Sequence, residues 1–184
     1  MIFFNSFIVL LFCFAIGLPS KAEEGNSLKD HQVLIQTIKT LGVGYFVNPP
    51  SCDDEKLDGV YHQNSGRMVV CLDNYTKKIN KVTWTKNDLD TLRHEAHHIV
   101  QDCASGEIGD GKMSRIFIDL EKFKSFIDQS GIPKEKLYYL YKYYMDHRDA
   151  SPEEAAMEVE AYAVANSIDA ISISNKLKEF CDER

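Results

Sequence analysis

Residues 94–98 read His94-Glu95-Ala96-His97-His98, and no other stretch of the chain has residue types and spacing so suited to chemistry. Two histidines four positions apart lie one turn apart on the same side of an α-helix, so both imidazoles can reach one zinc ion. A glutamate beside the first can take a proton from a water that the ion activates. The motif therefore needs a helix. Thr85 and Asp88 form a capping box ahead of an expected helix over residues 86–104, which ends near Gly106. At about 100° per residue with Leu92 at zero, Ala96, Ile99 and Cys103 fall within about 40° of it, while His94, His98 and Glu95 span about 200° to about 300°. The apolar side should pack on one layer, the sheet, and the metal side should face a second helix.

A catalytic zinc takes three protein ligands and keeps one position open. The metzincin extension would need Gly and His where the chain has Gln101 and Ala104, so that class is excluded. A later helix offers a carboxylate instead. Ser151, Pro152 and Glu154 make a strong helix start, and Met157, Ala161, Val164, Ile168 and Ile171 form its apolar stripe. Glu160 lies inside that stripe, where a carboxylate is costly unless it is paired or bound to metal. Glu160 is thus the expected third ligand, ahead of Glu158 on a more polar face and of Glu154. Asp102, one turn after His98, is a candidate to orient a ligand. His97 falls at about 140° and reads as a rim residue. Tyr138, Tyr139, Tyr141, Tyr143, Tyr144 and His147 crowd the preceding segment. Any of these tyrosines could stabilise an oxyanion, and the sequence does not choose among them.

The two motifs together, His94-Glu95-Ala96-His97-His98 and Glu158-Val159-Glu160-Ala161-Tyr162-Ala163, resemble a small gluzincin. More narrowly, they are similar to minimal zinc metallopeptidases of the ImmA/IrrE kind, with HExxH and a later ExEA helix, over roughly residues 57–170. The resemblance implies that the Glu directly before Ala, here Glu160, ligates zinc. It also implies a curled sheet whose edge strand, here residues 67–72, holds peptide substrate. Two helices inserted between His98 and Glu160 depart from that pattern, as does export of the chain.

Export is read from the N-terminus. Phe7 to Leu18 is unbroken and apolar, and Pro19 with Ser20-Lys21-Ala22 follows, a pattern that fits a signal peptide over residues 1–22. Residues 23–184 then form one domain of the 184-residue chain. Cys13 leaves with the signal. Four cysteines remain, and their layout favours two disulfides, Cys52–Cys71 and Cys103–Cys181. The formal net charge of −7, with no basic run, argues against nucleic acid or anionic lipid as partner. The membrane is met only in transit.

The fold expected is α+β, a small antiparallel or mixed sheet with helices packed on it. Its elements are a helix capped by Ser27 and Asp30, strands at 43–47, 58–62, 67–72 and 80–84, the HExxH helix, helices near 114–129 and 133–147, and a last helix broken near Ser172–Ser174. The expected function is peptide-bond hydrolysis by a secreted or periplasmic zinc metallopeptidase, with one Zn2+ on His94, His98 and Glu160 and Glu95 as general base. The alternative is a non-catalytic exported zinc protein whose metal staples helices or binds a partner. A fourth protein ligand, such as His97 or an Asp, would mark that alternative.

Overall fold

The structure, a computed structural model, describes residues 27–53, 57–73 and 83–182. The expected signal peptide lies outside them. Helix α1 spans Leu28–Thr40, capped by the Ser27–Asp30 box. Strand β1 is Gly44–Val47, and a single 3-10 turn covers Pro50–Asp53. Strands β2, Gly59–His62, and β3, Arg67–Val70, form a hairpin. Then come the HExxH helix α2, Lys86–Ser105, and helices α3, Leu120–Ser130, α4, Lys134–His147, α5, Pro152–Ser167, and α6, Ala170–Cys181. The fold is α+β, as expected.

The sheet is mixed, in the order β1-β3-β2, with β1 parallel and β2 antiparallel to β3. This corrects one expectation. Residues 67–70 are the central strand, because β1 pairs them on the side that an edge strand would leave free. The edge strand beside α2 is β2. Of the strand expected at 80–84, residues 80–82 fall outside the described residues, and Thr83 and Trp84 are not strand. The segment 114–119 is not helical either. The final break falls at Ile168–Asp169 rather than at 172–174, because the Asp169 carboxylate caps the backbone N–H of Ser172 and starts α6.

The core follows the apolar stripe of α2. Leu92, Ala96, Ile99 and Val100 pack with Met68 and Val70 of β3, Leu34 and Ile38 of α1, and Ile173 and Leu177 of α6, all buried. The stripe thus faces both the sheet and a helical layer, and α5 covers the metal side of α2. Cys52–Cys71 ties the turn after β1 to the end of β3, and Cys103–Cys181 ties the end of α2 to the end of α6. The sequence separations are 19 and 78 residues, which in the chain-entropy picture correspond to roughly 3 and 4–5 kcal/mol of stabilisation.

Arg93 fastens three helices. Its guanidinium donates to the Ala165 carbonyl of α5 at 2.8 Å, to Asp90 at 2.5 Å and to His31 Nε2 of α1 at 2.7 Å. His31 is fully buried, and its Nδ1 meets the Ser27 carbonyl at 2.8 Å. A carbonyl can only accept, so Nδ1 carries the proton and Nε2 accepts from Arg93. Protonating His31 would turn that acceptor into a donor facing a cation. Burial, and then the Arg93 charge, push its pKa below 6.5 in the folded chain. The unfolded chain therefore binds more protons below about pH 6.5, and stability should fall as pH drops through that range. H31Q, whose amide can keep both bonds without titrating, should raise the urea midpoint at about pH 5 relative to that at about pH 8 when compared with the wild type, in which the raised pKa of His98 acts in the opposite direction over the same range.

Candidate metal centre

His94 and His98 project from the middle of α2 toward α5, where Glu158 meets them. His94 Nε2 lies 3.0 Å from His98 Nε2 and 3.2 Å from Glu158 Oε2, and His98 Nε2 lies 3.5 Å from the same oxygen. Three donor atoms on the edges of one small triangle are what a tetrahedral ion requires. Bonds of about 2.0–2.1 Å place ligand atoms about 3.3 Å apart. The two-imidazole, one-carboxylate donor set suits zinc among the common divalent ions. Among the described residues this is the one His/Cys/Asp/Glu group so disposed.

The third member is Glu158, and Glu160 is not in the cluster. Glu160 is completely buried behind it. Its Oε1 accepts from His97 Nε2 at 2.9 Å, Gln101 Nε2 at 3.0 Å and the Ile116 N–H at 2.9 Å, and its Oε2 accepts from the Phe117 N–H at 3.1 Å. A carboxylate on an apolar face does need compensation, but here four protein donors supply it. Those two backbone bonds are made by residues 116 and 117, which are not helical where a helix was expected. His97 is correspondingly no rim residue: it is buried and committed to Glu160. Burial pushes its pKa down, so a neutral imidazole donates to an ionised Glu160, whose carboxyl stays below the usual range. Glu158, with a quarter of its side chain exposed, reaches the cleft. Glu154 is taken up by the N-terminal cap of α5.

Asp102 does not orient a ligand. It is buried and accepts from the Tyr61 hydroxyl and, at 2.9 Å, from the Gly109 N–H, so it clamps β2 and the following loop onto α2. The residue that touches a ligand from behind is Gln101, whose Oε1 lies 2.8 Å from His98 Nδ1. In the sequence its position served only to exclude the metzincin class. The cue that was there is its spacing, three residues after His98 on the α5 side of the helix.

Glu95 is buried under β2. The backbone N–H of Tyr61 donates to its carboxylate. Strand and helix approach so closely here that a Cβ on Gly59 would stand 2.7 Å from Thr91 Cγ2 and 2.9 Å from Glu95 Cγ, which only glycine avoids. Burial raises the Glu95 pKa, against the pull of His94 and His98. Burial would also lower His98, but the charge and hydrogen bond of Glu158, with the Glu95 charge and the Gln101 bond, together outweigh it and lift the imidazole to about 9. Glu158 itself would be raised by burial, yet the two histidines hold it far below the carboxylate range. The cluster thus favours positive charge at its centre.

A cleft opens over these residues, walled by β2, the Gln63–Ser65 turn, Tyr144 and Arg148 at the end of α4, and Met157 and Glu158. Of the candidate tyrosines, Tyr144 is the one that lines it. Its hydroxyl hydrogen-bonds Glu158, and burial followed by the Glu158 charge raises its pKa. Tyr138 and Tyr139 are exposed, and Tyr141 packs with the second small core around Ile127 and Leu137.

The chain belongs to the family described as Domain of unknown function (DUF8637), whose model matches residues 26–182. No curated protein and no solved structure matches it.

The two glutamates should separate cleanly on mutation. Glu158→Ala should abolish zinc retention, read by elemental analysis after desalting, and leave the metal-free fold intact. Glu160→Ala should instead lower metal-free stability in urea by about 3–5 kcal/mol, the range for breaking a buried charged network.

Proposed function

We propose that the chain is an exported zinc-dependent peptidase, with His94, His98 and Glu158 as ligands and Glu95 as general base. The observation that carries this reading is the convergence of two helical histidines and one carboxylate, at the floor of an open cleft, beside a buried glutamate. When bound, zinc would polarise the scissile carbonyl and lower the pKa of a water in its open position. Glu95 is placed to remove that water's proton and to pass it to the leaving amine. Its raised pKa suits both halves of the transfer, since a base that is too weak cannot take the proton and a strong acid cannot hold it.

Strand β2 supports a peptide as substrate. Asp58 accepts from the Cys71 N–H, so by antiparallel alternation Val60 and His62 also turn their backbone groups toward β3. Gly59 and Tyr61 turn theirs the other way, toward the cleft. The Tyr61 N–H serves Glu95, and the edge carbonyls remain for an extended chain to pair with. Tyr144 stands across from this edge, where its hydroxyl can donate to the oxyanion of the tetrahedral intermediate.

A fourth protein ligand would favour the non-catalytic alternative. His97, one candidate for that place, is held by Glu160, and the group of possible ligands found among the described residues has three members. This favours the catalytic reading. Export is supported by the two disulfides, which persist in oxidising compartments.

Glu95→Gln should keep about one zinc per chain and lose hydrolysis of an unstructured protein substrate. Full activity in that variant would overturn the mechanism. Tyr144→Phe should lower kcat by about 100-fold with zinc content unchanged, the size expected for one lost oxyanion donor. Steady-state kinetics on the zinc-loaded protein measure it.

A further inference from the structure

We infer that Gln101 is a positioning residue whose carboxamide dictates that His98 offers Nε2, and not Nδ1, to the metal. The inference rests on the metal site proposed above and concerns how that site is held in register.

The orientation of the Gln101 amide is fixed by its surroundings. Gln101 is fully buried. One end of its amide faces the Met157 carbonyl at 3.2 Å and Glu160 Oε1 at 3.0 Å. Both are acceptors, so the donating nitrogen belongs there, and a flipped amide would set oxygen against two oxygens in a site closed to water. Glu160 cannot turn away to relieve such a clash. It is anchored by His97, Ile116 and Phe117 as well. The Gln101 oxygen must therefore face His98 Nδ1, at 2.8 Å. An amide oxygen only accepts, so Nδ1 must carry a proton. The neutral imidazole that binds metal then has its free lone pair on Nε2, the atom that lies 3.0 Å from His94 Nε2 and 3.5 Å from Glu158.

The chain of command runs outward. Two backbone N–H groups and His97 fix Glu160, Glu160 fixes the Gln101 amide, and Gln101 fixes the His98 tautomer and ring plane. A carboxylate would do the last job more strongly, but beside Glu160 it would add a second buried negative charge. A neutral carboxamide bridges an anion and an imidazole without that cost.

The test uses the zinc-loaded chain and nitrogen-15 NMR of the histidine rings. In the wild type, His98 should bind through Nε2 and show an Nδ1 proton protected from exchange with water. Metal on Nδ1, or an Nδ1 proton that exchanges freely, would overturn the inference. Gln101→Met keeps length and burial but removes the acceptor. It should weaken zinc binding by about 10–100-fold in chelator competition, the usual cost of losing such a partner, and expose the Nδ1 proton to exchange. Unchanged affinity in a folded variant would overturn the inference. If Gln101→Met does not fold, the wild-type spectrum still decides. A wild-type chain that binds no zinc would overturn this inference together with the function proposed above. Zinc held through Nε2 with a protected Nδ1 proton, but without hydrolysis, would support the inference and overturn only the peptidase reading.

Discussion

Helix α2 meets α5 along a seam of polar side chains, and the rest of the site depends on how that seam is divided. At its inner end His97 and Gln101 close on Glu160, and water is shut out. At its outer end His94 and His98 converge with Glu158 at the floor of a cleft. The two ends use the same residue types and differ in who satisfies them. The inner carboxylate is met by four protein donors, which offsets its burial. The outer carboxylate meets two imidazoles, which can exchange a proton for a cation, and the Tyr144 hydroxyl. Packing therefore decides which glutamate is structural and which can bind metal.

The second constraint is the approach of β2 to α2. Tyr61 secures it from both ends: its hydroxyl donates to Asp102 near the end of the helix, and its backbone N–H donates to Glu95. Gly59, two residues earlier, lets the strand lie against Thr91 and Glu95 without a side chain between them. The edge strand and Glu95 are thus one assembly. A shift of β2 by one residue would exchange Tyr61 for a neighbour facing the opposite side and remove both bonds at once. The loop after α2 guards against such a slip. Gly109 packs its backbone against Gly66 of the β2–β3 turn, and the Gly111 N–H donates to the Gln63 carbonyl at 3.1 Å.

Much of this was legible in the residues. The capping boxes at Ser27, Thr85 and Ser151, the three strands of the sheet and both disulfide pairings follow from local chemistry and chain layout, and the structure has all of them. So does the placing of His94, His98 and Glu95 on one arc of α2. What the sequence could not convey was the partner of each carboxylate. Glu160 was singled out because it lies on an apolar stripe, and it is indeed the buried one. The inference from burial to metal failed because backbone N–H groups from residues 116 and 117, far away in sequence, occupy it. The edge strand was misplaced for a related reason. A strand's rank in a sheet depends on whether a third strand pairs with it, and the parallel pairing of β1 with β3 leaves no mark on residues 67–70 themselves.

These two corrections have a common consequence for the chemistry. A motif with three histidines, at 94, 97 and 98, could close around a metal with two, or all three, of its imidazoles. Had Glu160 been the ligand, it would have left His97 buried without its acceptor and free to compete for the ion. Because Glu160 takes His97, the cluster consists of the pair four residues apart and Glu158, at the floor of the cleft that β2 walls. The place of the more exposed glutamate in the cluster and the opening of the cluster to the cleft are one geometric fact. The buried Glu160–His97 pair keeps a third imidazole out of the cluster.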